Sequence, residues 1–181
     1  MNPALYGTIW LALVLFCAGE AGRRDRDAGH PAASWTWWAY AIGALLLVVH
    51  IVIAMDVAHN WSHQSSIAAT ARQTSAVYGL DWGGGVYANY AFVAVWLFEV
   101  WRWRRNSTPG APHVPRARTI VWTIRIFYLV MILNAAIIFA AGWRRAAGAA
   151  IVLWLLWIWV KNDHHMEPRP QNPLHRFTAL W

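Results

Sequence analysis

The decapeptide MDVAHNWSHQ, residues 55–64, sets one aspartate and two histidines at the end of a long apolar run. Continued as a single helix at about 100° per residue, Asp56, His59 and His63 fall within about 60° of one another. The spacings are i, i+3 and i, i+4, which bring side chains on one helix face together. Two imidazoles and a carboxylate suit zinc, copper(II) or non-haem iron. One cluster of three ligands suits a mononuclear site, so copper or zinc is expected over iron, with the fourth ligand drawn from water or a neighbouring segment. Two competing expectations attach to the same residues. A helix leaving a membrane turns polar, and its histidines can simply bond to water, headgroups or the next helix. They can also handle protons or sense pH.

Other polar residues are expected at the same depth. Tyr87, Asn89 and Tyr90 begin the third apolar segment, Asn134 lies in the fourth, and Arg72 and Gln73 lie in the loop above. Polar groups in a membrane bundle face its interior or a wet cavity, so these residues predict an outward-facing polar pocket with the Asp/His/His face as one wall. If the site is catalytic, Tyr87 or Tyr90 is the first candidate for an acid or base. HNWSH has the H-x-x-x-H spacing of a zinc-protease helix, but Asn60 stands where the general-base glutamate is needed. It is also similar to one histidine box of the membrane di-iron desaturases and hydroxylases; those need several boxes, and HHMEP in the tail supplies at best a fragment, on the opposite side of the membrane. His50 lies in mid-segment. As a haem ligand it would need Met131, or a second copy of the chain, opposite it, so haem is not expected. A neutral imidazole bonded to the next helix is the plainer role. Glu99 and Arg125 fall at similar depth on neighbouring antiparallel segments, and an ion pair between them is expected.

The elements that must position these residues are legible from composition. Of 181 residues, 59% are hydrophobic and 13% charged, against about 25% charged in ordinary soluble domains. The chain therefore reads as an integral membrane protein of one domain. Five apolar segments run from about Pro3 to Gly19, Trp35 to Ala58, Gly83 to Trp101, Thr119 to Ala141 and Ala146 to Val160. In hydrocarbon each segment must satisfy its own backbone, which demands helices. Runs such as ALLLVV do not alternate, which excludes a membrane β-barrel. The fold class is all-α: a polytopic bundle of five transmembrane helices over residues 1–160, with a tail over 161–181. MNPALYGTIWLALVLF lacks a basic start and is read as a retained first span rather than a cleaved signal. Residues 64–78 are helix material for an outer-face helix, with Ile67, Ala71 and Tyr78 sharing a face and Arg72 and Gln73 off it. DWGGG then predicts a turn or a close approach to a neighbour.

The net charge of +7 sits in short loops between apolar blocks, which argues against nucleic-acid binding and for the positive-inside rule. Eleven basic residues fall on one side, and three (Arg72, Arg144 and Arg145) on the other, with Arg125 inside a segment. The N-terminus is then outside and the C-terminus cytoplasmic, in a bacterial-type inner membrane. The 15 tryptophans support the boundaries. Trp35, Trp37, Trp38, Trp101, Trp103 and Trp122 mark one interface, and Trp61, Trp82 and Trp143 the other. The single cysteine, Cys17, admits no intrachain disulfide. The expected function is metal handling or a metal-dependent redox step. The competing class is a non-enzymatic accessory subunit whose tryptophan-rich surface packs on a larger membrane complex or on a second copy, with lipids as the surrounding partner in either case.

Overall fold

The computed structural model describes residues 3–27, 33–107 and 117–163. Six α-helices follow in order: α1 Pro3–Asp27, α2 Ser34–Val57, α3 His63–Tyr78, α4 Gly85–Asn106, α5 Arg118–Leu133 and α6 Trp143–Asp163, with a π-helical turn, Asn134–Ile138, closing α5. Among the described residues there is no strand. His113 and the histidines of the tail lie outside the described residues.

Among the described residues, four helical stretches are long and apolar enough to cross a membrane: Pro3–Arg23, Ser34–Val57, Arg118–Ile138 and Trp143–Lys161. α4 has sufficient length at 22 residues, but Tyr87, Asn89, Tyr90, Glu99 and Arg102 dilute its apolar content. α1 continues past Gly19 to Asp27 rather than ending there. The residues after Gly19 include Glu20, Ala21 and Arg23, all good helix formers, and Glu20 pairs with Arg23 one turn on at 2.7 Å.

The helices run alternately up and down. Thr8 of α1 meets His50 of α2 at 3.2 Å, Trp10 stacks on Trp143 of α6, and Tyr78 of α3 reaches Asn134 after α5. These contacts define one end of the bundle, here the α3 end. At the opposite end Glu20 of α1 meets Trp159 of α6. The core between them is aromatic. Phe16 lies edge-on to Trp96 and Tyr128, at 4.9 and 5.1 Å between ring centres, and Trp96 and Tyr40 are fully buried. Such edge-to-face pairs contribute about 0.5–1.5 kcal/mol beyond their buried area. α1 and α2 form the most extensive helix pair. Gly19 permits it, because a Cβ there would run into the Tyr40 ring.

Trp35, Trp38 and Trp101 are exposed near the opposite end, and Trp61, Trp82 and Trp143 at the α3 end. Trp103 departs from the expected interface position: it is buried, with its ring 5.8 Å from that of Tyr40.

Candidate functional site

The stretch that joins α2 to α3 does not continue the helix. α2 ends at Val57, and Asn60 (φ 47°) and Trp61 (φ 58°) take left-handed backbone, which turns the chain sharply. Asparagine tolerates that conformation; tryptophan adopts it at a cost. Two bonds hold Trp61 there: its backbone N–H donates to the Met55 carbonyl at 2.8 Å, and its indole N–H donates to the Asp56 carboxylate at 2.9 Å. Ser62 then caps α3, its hydroxyl accepting the Ser65 N–H at 3.2 Å.

This turn overturns the shared helix face on which the Asp56, His59 and His63 site rested. The three residues belong to α2, the turn and α3 in that order. Asp56 is exposed and engaged with Trp61. His63 is exposed, with Nδ1 3.3 Å from the Tyr90 hydroxyl and Nε2 3.5 Å from that of Tyr87, and its ring stacks on Tyr90. His59 lies partly buried, and its Nδ1 is shielded from solvent without a hydrogen-bond partner. Among the described residues no three His, Cys, Asp or Glu side chains converge as a metal-holding group.

His59 instead helps to wall a cavity of about 230 Å³ at the α3 end. All of α1 to α5 contribute: Ile9 and Leu13, then His50 and Met55, then Thr70, then Asn89, Tyr90 and Phe92, and finally Met131. His50 is half-buried, and its Nδ1 meets the Thr8 hydroxyl at 3.2 Å. The Thr8 hydroxyl has one hydrogen, and it donates to the Ala4 carbonyl at 2.8 Å. Towards His50 it then presents a lone pair, an arrangement that suits the tautomer with the proton on Nδ1.

Of the residues expected in the pocket, Asn89 and Tyr90 line this cavity. Tyr87 sits beside it, against His63. Arg72 and Gln73 are exposed on α3 and do not line it. Asn134 also stands apart, accepting the Tyr78 hydroxyl at 2.7 Å and donating to the Val130 carbonyl at 2.9 Å. On α3, Ile67 and Ala71 are half-buried and Tyr78 is exposed. The buried residues of this helix are Ser66 and Thr74, and Thr70 between them reaches the cavity. Their hydroxyls donate to backbone carbonyls one turn back, at 2.7 to 2.9 Å, so this short polar face packs on α4 with its donors satisfied. The glycines of DWGGG serve a close approach, as expected: a Cβ on Gly83 would meet Ile67.

A second group of polar residues fills the opposite end. Glu20 and Glu99 are both buried. Glu20 accepts the Trp159 indole N–H at 2.8 Å and pairs with Arg23 at 2.7 Å. Arg23 also donates to the Tyr40 hydroxyl at 3.3 Å and reaches Glu99 at 3.3 Å, while Arg102 stands 3.9 Å from Glu99. The sequence points to Arg125 as the partner of Glu99; the ion pairs described here run to Arg23 and Arg102. Arg125 is buried, its guanidinium 5.4 Å from the Trp122 ring and 5.8 Å from that of Trp159. Sequence reading missed Glu20 and Arg23 because it placed Arg23 in a loop. Their i, i+3 spacing just past an apolar run was the available signal. No protein-family model matches this chain, and no curated protein or solved structure is similar to it at a significant level.

Proposed function

We propose that this is a five-span membrane protein whose cavity at the α3 end binds a transition metal, in metal handling or a metal-dependent redox step. The observation that carries the reading is the pair of imidazoles on the cavity wall. The Thr8 contact suits a His50 tautomer protonated on Nδ1, with Nε2 as the lone-pair donor, and His59 has a shielded, unpartnered Nδ1. Histidine ligands characteristically have their second nitrogen tied down in this way. The cavity, at about 230 Å³, lies below the range of roughly 300–1,000 Å³ for drug-sized ligands, which favours a single ion over a haem. The Asp56, His59 and His63 set is replaced by His50 and His59.

α4 supplies the fifth span on this reading. Its Glu99 is buried and faces Arg23 and Arg102, so the charge that lowers its hydropathy is held inside protein. The basic-residue asymmetry puts the α3 end, and with it the cavity, on the outer face of the membrane.

Metal analysis of the purified protein beside His50→Ala and His59→Ala tests the function. About one copper or zinc per wild-type chain, reduced in both variants, is expected. Equal content in all three, or none in the wild type after growth with added copper and zinc, would remove the reading. For topology, single cysteines at the exposed Ser75 and Ser107 in a Cys17→Ala background can be labelled in intact cells. An impermeant reagent should reach position 75 alone; the reverse pattern would invert the topology.

A further inference from the structure

Deepening the metal reading on which it rests, we infer that the cavity is a copper(I) site, with the thioethers of Met55 and Met131 joining the imidazoles of His50 and His59. All four side chains line the same cavity. They come from separate places in the fold: His50 and Met55 from α2, His59 from the turn after it, and Met131 from α5 across the bundle. Among the described residues no Asp, Glu or Cys lines the cavity with them, so the wall offers no anionic side-chain donor.

That donor set decides between metals. Thioether sulfur is a soft ligand that selects copper(I), whereas zinc sites rely on thiolate, imidazole and carboxylate. The wall is also largely aliphatic and aromatic, with Ile9, Leu13, Leu47, Val86 and Phe92 around the donors. The cost of moving an ion into such surroundings rises with the square of its charge, so a monovalent ion is favoured where no anionic ligand compensates. The Asp56 carboxylate, which could have supplied that compensation, is directed to the Trp61 indole. Thr8 completes the arrangement as a positioning residue. By accepting a hydrogen bond from the His50 Nδ1–H it holds the tautomer whose Nε2 can ligate.

The test uses full-length protein in detergent, with copper(I) kept reduced by ascorbate and bicinchoninate as the competing chelator. Zinc affinity is measured in parallel with a zinc-sensitive dye. Met55→Leu and Met131→Leu conserve volume and apolarity, so both are expected to fold. Each should weaken copper(I) by about tenfold or more and leave zinc within about twofold, since a thioether matters to the soft ion alone. His50→Ala and His59→Ala should weaken both metals, and Thr8→Val should do so less. Copper X-ray absorption of the loaded wild type supplies a readout independent of any variant: sulfur scatterers beside nitrogen are expected. Nitrogen and oxygen scatterers alone, or copper(I) affinity unchanged in both methionine variants, would overturn the copper(I) assignment while leaving the two-histidine metal site standing. A wild type that binds neither copper(I) nor zinc would remove both.

Discussion

The two ends of the bundle handle buried polarity in opposite ways. At the end away from α3, two buried carboxylates face arginines, and Glu20 also takes an indole N–H. Bonding is internal, and the surrounding volume is filled by Trp96, Trp103 and Trp159. At the α3 end the polar groups are imidazole, hydroxyl and amide, partly buried or exposed and arranged around space. Charge forces this difference. An unpaired charge at membrane depth costs several kcal/mol, so charged groups must find one another during folding. A neutral imidazole costs far less to leave with an open nitrogen, and open nitrogens are what a metal site requires. The charged end therefore reads as a fastening between α1, α4 and α6, and the other end holds the cavity in which the metal is proposed to bind.

Glu99→Ala should break the charged end most severely. It removes the buried carboxylate that Arg23 and Arg102 face and leaves Arg23 only its pair with Glu20, so unfolding in mixed detergent and denaturant should show a loss of about 3 kcal/mol. His59→Leu at the other end removes an unpartnered buried nitrogen and should stay within about 1 kcal/mol of wild type. Equal losses would erase the distinction. A double-mutant cycle of Glu20→Gln with Trp159→Phe should give a coupling energy of about 1.5–3 kcal/mol, as for a hydrogen bond to a charged group. Additive effects would mean that the indole and carboxylate do not interact. Gly19→Ala should cost about 1–3 kcal/mol by pushing α1 off the Tyr40 ring, seen as a lowered melting temperature. Trp61→Phe keeps the left-handed turn but removes its bond to Asp56. A loss of about 1 kcal/mol and faster proteolysis between residues 58 and 62 are expected. The smallest effect sharpens the comparison at the α3 end. Asp56→Asn and His63→Gln should each change metal affinity by less than about twofold, since neither residue lines the cavity. A large loss in either would return the metal to the α2–α3 turn.

How far the sequence could be read follows from the range of each interaction. Helical class, the apolar segments and the helix over residues 63–78 were legible, because backbone satisfaction in an apolar chain and local helix propensity act within a few residues. Of the polar residues grouped from the sequence, His59, Asn89 and Tyr90 do share the cavity, whereas His50 was kept apart from them as a mid-segment histidine. The grouping around His59 was not legible. It depended on Asn60 and Trp61 leaving the helical region, a conformation that suits Asn60 but that Trp61 adopts only with its bonds to Asp56 and the Met55 carbonyl. An ideal helix carried through residues 50–63 joined Asp56, His59 and His63; the turn parted them. Likewise Glu99 had a visible need for a cation, but Arg23 could meet it only because α1 runs on to Asp27 beside α2, in contacts that span 76 residues of chain. What the sequence determined by itself was the medium, the elements and the list of donors, all set by composition and local spacing. What the tertiary structure decided was which donors share a cavity. Met55, His59 and Met131 come together only when α2, its closing turn and α5 pack around the same space, an arrangement no single segment encodes.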